Sequence, residues 1–257
     1  MKANQAASLQ KQEEYFKSNI HNLTVLAQKR YEPRFSTFLD ERQQQLAREI
    51  LRHDRCRNAL FFGGADGCER LMLGVFPEGM EPSEESFPIA ALKLTVRGDN
   101  RLTHRDFLGS LMGIQLKREA IGDIIVLEDG AAVFLQQALV PFVRTNLDKV
   151  GRSSVIIEEL PPGTVERKQE LRPISGSVSS LRLDCIVSLL AGTSRSNAAE
   201  LIRAGLVKRN CLEETNISRL CEGGDVLVIR GKGKFILESE FKKTKKDRIF
   251  LTVDQLI

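Results

Sequence analysis

Between Ile89 and Ile157 the chain switches repeatedly between two hydrophobic periods, and the order of those switches constrains its fold more than any other feature. Residues 89–96 suit a strand, whereas 103–112 space their apolar residues three and four apart, as a helix does. Residues 123–127 and 131–135 read as a hairpin across Glu128-Asp129-Gly130, 136–147 as a second helix and 153–157 as a last strand. Strand-helix-strand-strand-helix-strand is the split order of ferredoxin-like sheets.

The same order serves RNA-recognition-motif folds, but Phe134 is the only aromatic on the two central strands. The aromatic pair on which such a sheet stacks bases is missing, so base stacking there is not expected. Upstream, residues 5–30 and 36–53 predict helices, with Ser36 and Asp40 as helix-start residues. Ala59-Leu60-Phe61-Phe62 reads as a buried strand ending at Gly63-Gly64, with 70–76 as its partner. Residues 77–88, with three prolines and four glutamates, mark one boundary, and Leu160-Pro161-Pro162-Gly163 with the polar stretch 166–180 marks another. The expected class is therefore α+β: a helical-plus-strand domain over 1–80, a ferredoxin-like, RRM-like domain over 81–165, a linker over 166–178, and a last domain over 179–257.

Composition narrows the location. No run approaches the ~18 apolar residues of a spanning helix, and residues 1–16 lack the apolar core of a secretory signal. Cys56, Cys68, Cys185, Cys211 and Cys221 are odd in number and scattered, which suits reduced thiols and a cytoplasmic protein away from membranes. The chain has 38 basic and 34 acidic residues, and its partition is informative. The first 180 residues hold 24 of each, whereas the rest hold 14 basic and 10 acidic, so the whole excess lies in the C-terminal domain.

In that domain Leu181-Arg182-Leu183-Asp184 opens a helix that Ala191-Gly192-Thr193 stops, and Ser194 can cap a second helix that runs to Gly205. Short strands are expected at 206–208 and 226–230, the latter entered by the turn Glu222-Gly223-Gly224-Asp225. Arg182, Arg195, Lys208, Arg209, Arg230, Lys232 and Lys234 then converge from two helix starts and two strand ends. Such a face neutralises phosphates and releases counterions, while Gly231 and Gly233 admit close backbone approach. As exposed charges, Arg182 and Arg195 are expected to contribute little to stability, with Asp184 orienting Arg182 or capping its helix.

The blocks Arg182-Leu183-Asp184, Ser194-Arg195-Ser196, Leu201-Ile202 with Gly205-Leu206-Val207-Lys208, Asn210, Gly224-Asp225 and Arg230-Gly231-Lys232-Gly233-Lys234 resemble the RNA-binding domain named after small-subunit ribosomal protein S-four. Cys211 departs from that pattern, because many such domains have glycine in this turn. Ahead of this domain stand Phe62-Gly63-Gly64, Glu69-Arg70, Glu81-Pro82-Ser83, the run Thr103-His104-Arg105-Asp106-Phe107-Leu108-Gly109-Ser110-Leu111, Lys117-Arg118-Glu119 and Gly122-Asp123-Ile124; behind it comes Thr244-Lys245-Lys246-Asp247-Arg248. With those segments the chain resembles the YlmH family of bacterial RNA-binding proteins over nearly its whole length. That resemblance implies a non-catalytic, cofactor-free factor on the large ribosomal subunit, handling stalled complexes that carry peptidyl-tRNA; a cyanobacterial and plastid branch is linked to photosystem assembly. A monomer is expected. The RNA contacts it implies are Arg182, Ser194, Arg195, Ser196, Lys208, Arg209, Asn210, Arg230, Lys232, Lys234, Lys243, Lys245 and Lys246.

Competing motifs are weaker. His104-Arg105-Asp106 is similar to a kinase catalytic loop, but Leu111 stands where its asparagine belongs, so Asp106 reads as a first-turn acid. Arg182-Leu183-Asp184 also resembles the catalytic aspartate segment of pseudouridine synthases, which would make the chain an RNA-modifying enzyme, yet Cys185-Ile186-Val187-Ser188 simply continues a helix. His53, Cys56 and Cys68 lack a fourth ligand at metal-site spacing, and Gly63-Gly64 with Gly67 lacks the Lys-Ser/Thr of a phosphate loop. The remaining rival is a protein-interaction adaptor that uses the first two domains.

Overall fold

The computed structural model describes residues 2–97, 102–161, 163–165, 171–244 and 247–256, with side chains from residue 11 onward. They fall into two compact units, Met1–Arg167 and Lys168–Ile257.

The first unit opens with α1 (Lys2–Arg30), β1 (Arg34–Leu39), α2 (Glu41–His53), β2 (Ala59–Phe62) and β3 (Leu71–Val75). Residues 36–39, expected as the start of a helix, are strand. Ser36 sits within β1 and its hydroxyl accepts a hydrogen bond from the Leu73 amide at 2.9 Å. Phe38 and Leu39 are both buried, on opposite faces of the strand, a pattern that only extended backbone can satisfy. The helix starts at the other expected cap: Asp40 accepts from the Gln43 amide, and Gln43 accepts from the Asp40 amide, each at 2.9 Å. The strands form a sheet of order β1-β3-β2.

Next come β4 (Ile89–Val96), α3 (His104–Gly113), β5 (Ile121–Leu127), β6 (Gly130–Gln136), α4 (Val140–Asn146), β7 (Lys149–Val150) and β8 (Ser153–Leu160). Their sheet has the order β5-β6-β4-β8-β7, so the first strand of the motif lies between the third and the last, as a split β-α-β unit requires. Leu92, Leu94, Val133 and Leu135 face α3 and α4, whose Phe107, Leu111 and Val143 close that core.

The sheet's other face is also covered. Phe134 and Ala91 pack there with Phe38, Met72, Phe76 and Phe87, which bonds the first two expected domains into one body of four layers: α1 and α2, two sheets, then α3 and α4. Gly64, at φ +102°, lies so close that a Cβ there would stand 2.4 Å from the Phe134 ring. Asp123 tightens the junction by accepting from the amides of Glu69 (2.7 Å) and Arg70 (3.0 Å). Burial of ten or more apolar side chains at this junction outweighs the proline-rich stretch 77–88 that suggested a boundary.

The second unit contains β9 (Leu171–Val178), α5 (Leu183–Ala191), α6 (Arg195–Arg203), β10 (Val207–Arg209), β11 (Leu212–Glu213), β12 (Val226–Ile229), β13 (Gly233–Leu237), β14 (Lys242–Lys243) and β15 (Ile249–Leu256). The path is β11-β10-β12-β13-β15-β14, and β9 pairs with β15. Here the expected linker needs correction: residues 171–178 pair antiparallel with β15 along its full length, from Leu171 opposite Leu256 to Val178 opposite Ile249. The rest of that linker, 166–170, lies outside the described residues. Serine, glycine and proline in β9 resemble a flexible connector locally, and only the partner strand shows otherwise. Leu227, Ile229, Phe235, Leu251 and Val253 form the sheet's inner face against Leu183, Ile186, Val187, Ala198 and Ile202 of the two helices.

Candidate nucleic-acid interface

The corner between α5 and α6 brings four expected residues together. Arg182 is the N-cap of α5 and Arg195 the first residue of α6, whose Ser194 hydroxyl accepts from the Asn197 amide at 3.2 Å. Both guanidiniums turn to one carboxylate. Arg182 donates from Nε (3.1 Å) and Nη2 (3.3 Å) to Asp184, and Arg195 donates from Nη2 at 2.7 Å. The Asp184 side chain is 6 % exposed, whereas those of Arg182 and Arg195 are 35 % and 55 % exposed. Burial alone would raise the Asp184 pKa, but the hydrogen bonds and charges of the two arginines overcome it and hold the carboxyl at about 2.

Each guanidinium carries five N–H donors, so most remain for an outside acceptor. Two cations bound to one anion leave a net positive corner, and the exposed Ser196 lies on the same first turn of α6. The expectation that these arginines matter little to stability is therefore revised, because they neutralise a buried charge. Arg219, which no motif flagged, joins the corner through its main chain: its carbonyl accepts from the Leu183 amide at 2.8 Å. It lies in an irregular loop with no periodicity, so only the tertiary fold reveals it.

The other expected residues divide. Lys232, in the turn between β12 and β13, lines a shallow hollow with Gly192, Thr193 and Asn197, on the helix side of the sheet. Arg230, in the same turn, is exposed, and its amide donates to Leu206 at 2.9 Å. Lys208 and Lys234 stand opposite Val228 in one cross-strand row. Since Val207, Ile229 and Phe235 point inward, that row faces away from the helices. The seven cations therefore do not form one face.

Arg209 and Asn210 have turned inward. Asp225, buried, accepts from Arg209 Nε at 2.6 Å, Asn210 Nδ2 at 2.7 Å and the Glu222 amide at 2.8 Å. Asn210 Oδ1 in turn accepts from the Val226 amide at 2.9 Å. Burial works to raise the Asp225 pKa, and these bonds bring it below the usual carboxylate range. With its side chain only 13 % exposed, Arg209 holds the β10–β11 hairpin in place and is not presented to a ligand. Lys243 is exposed on β14, 3.7 Å from Asp247, and Lys245 and Lys246 lie outside the described residues.

Cys211 follows Asn210 in the two-residue turn between β10 and β11, both in the left-handed region at φ 68° and 48°. A β-carbon is strained there by about 1 kcal/mol. Cys211→Gly is expected to raise the melting temperature by ~4–8 °C, the usual response of a unit this size, while RNA affinity stays unchanged.

The set-aside motifs have structural places. Asp106 accepts from the Thr103 amide and hydroxyl, both at 2.7 Å, as the acid of a capping box for α3. His53 meets Asp54 at 3.1 Å, Cys56 packs beside α2 and Cys68 packs in the aromatic core. No helix among the described residues is long and apolar enough to cross a membrane.

Residues 82–163 match a family model described as "Putative RNA-binding domain in YlmH". Over 240 residues the chain is 32 % identical to the "Ribosome-associated protein quality control protein P2" of Bacillus subtilis (strain 168), covering 90 % of each chain. The chain belongs to the YlmH family. A solved structure, "Cell division protein ylmH from Streptococcus pneumoniae", superposes with a TM-score of 0.52 at 19 % identity, covering 58 % of this chain and 92 % of that one. That likeness supports the mixed α+β fold.

Proposed function

We propose that this member of the YlmH family is a non-catalytic factor that grips structured ribosomal RNA through the α5–α6 corner, associates with the large subunit as a monomer, and serves quality control of stalled translation. The observation that carries this reading is the pair of partly exposed guanidiniums clamped on buried Asp184 at two helix N-termini. Fixed forks suit phosphate oxygens, and helix starts favour anions. The name of the Bacillus relative supplies the ribosomal setting. The pseudouridine-synthase alternative fits less well, because Asp184 is buried and already holds two arginines, which leaves its oxygens engaged and not aimed at a base.

Purified protein mixed with purified large subunits, small subunits or tRNA and centrifuged through a sucrose cushion tests the proposal. Pelleting with large subunits, resisted by excess tRNA, is expected. Equal distribution between the two subunits would overturn the large-subunit assignment, and no pelleting would overturn the RNA reading.

A further inference from the structure

Residues 82–163 match a model described as a "Putative RNA-binding domain in YlmH", yet the sheet face on which a related fold would stack bases is covered, with Phe134 only 1 % exposed. An RNA contact in this part of the chain would have to lie elsewhere. Its basic side chains narrow the choice: Lys93 pairs with Asp129 at 2.7 Å, Arg144 pairs with Glu159 at 3.4 Å, and Arg118 donates to the carbonyls of Ile121 and Gly122. Arg97, Arg105, Lys117, Lys149 and Arg152 are exposed with no ion pair among the described residues, and three of them, Arg97, Lys149 and Arg152, belong to neighbouring strands and their turn.

Those three lie together. The Arg97 amide donates to the Ser154 carbonyl at 3.2 Å, and Ser154 stands opposite Lys149 in the β7–β8 hairpin. Ser154 thus separates the two cations in one row, which spans roughly 10 Å at the usual ~4.8 Å strand spacing. Their neighbours Val96, Val155 and Val150 point into the core under α3, so Arg97, Ser154 and Lys149 face the other way. Arg152 occupies the turn that closes the hairpin. The Gly151 amide in that turn donates to Ser110 of α3 at 3.3 Å, which ties the hairpin end to the helix on the other side of the sheet. Among the described residues acids lie on this side as well: Asp148 precedes Lys149, Glu158 shares the face of Ser154 four residues on, and Asp129 is taken up by Lys93.

We infer that this end of the first unit, Arg97 and Lys149 on the sheet with Arg152 in the hairpin turn, is a second phosphate-binding surface for double-helical RNA. Gathered cations that form no ion pair among the described residues repel one another, and a polyanion relieves that repulsion. A sheet row of two cations around a serine hydroxyl offers phosphate contacts and no base readout. The inference rests on the RNA-binding reading above and adds a second point of attachment, independent of the α5–α6 corner.

The test uses the full chain, a transcribed RNA hairpin, and dissociation constants from 50 to 200 mM salt. Arg97→Gln, Lys149→Gln and Arg152→Gln together should reduce the slope of log affinity against log salt by about two to three, near one per lost phosphate contact. Affinity near 100 mM should fall at least ~10-fold, whereas Arg97→Lys with Arg152→Lys should bind as the parent does. An unchanged slope in the triple variant would overturn this surface while leaving the corner intact, and failure of the parent chain to bind the hairpin would overturn both. If the triple variant does not fold, ultraviolet cross-linking of the parent chain decides. Cross-linked peptides from 147–156 support the surface, and cross-links confined to other segments overturn it.

Discussion

Replacing Arg182 and Arg195 together by alanine is expected to destabilise the C-terminal unit by about 3–5 kcal/mol, in addition to abolishing the RNA contact. That is the usual consequence of leaving a buried charge without its partners. For a unit of this size it corresponds to a melting temperature lower by more than ~10 °C. Asp184 is the cause, since its buried carboxylate has both arginines as donors. Acid reads out the same coupling. The folded-state pKa of about 2 lies below the ordinary 3.8, so the pair's stabilisation is complete above about pH 4 and disappears as pH falls through about 2. Melting followed by circular dichroism from pH 2 to 7 should show an acid limb in the parent chain that is reduced in the double variant, where Asp225, also held below the usual range, still contributes one. Adding Asp184→Asn to the double variant should recover part of the lost stability. A double variant that melts within a few degrees of the parent would show that the arginines do not hold Asp184 in solution.

RNA affinity should fall steeply with salt, by roughly 10²–10⁴ between 50 and 200 mM if about five to eight phosphates are contacted. The α5–α6 corner, Arg230, Lys232 and the row at Arg97 and Lys149 together supply cations for that number, without the inward-turned Arg209. Filter binding of a structured RNA at graded salt measures the slope. A flat dependence would remove phosphate neutralisation as the source of affinity and, with it, the functional reading.

The pairing of β9 with β15 sets where an isolated C-terminal fragment can begin. One starting at Gly176, inside the stretch first read as linker, would lose Leu171–Ser175 and strip β15 of more than half of its β9 partner. A fragment must begin ahead of Leu171. Exposed backbone on β15 would otherwise invite pairing with another chain.

Periodic and local features were legible from the residues alone. Apolar strand runs marked β4 and β6, the capping residues Asp40 and Ser194 marked two helix starts, and the spacing around Arg182 and Arg195 marked the corner, because each depends on neighbours a few residues apart. What only the tertiary structure decided depends on distant partners. Strand β9 exists because β15, some 80 residues later, pairs with it; Phe134 lost its access to bases because β2 and β3 cover it; and Arg209 was withdrawn from the basic face because Asp225, sixteen residues on, lies within 2.6 Å. A charge in a sequence has no direction until packing assigns it a side of the sheet. For that reason the residue types of a phosphate-binding face could be read from the chain, while their division between a helix corner, a sheet row and a buried ion pair could not.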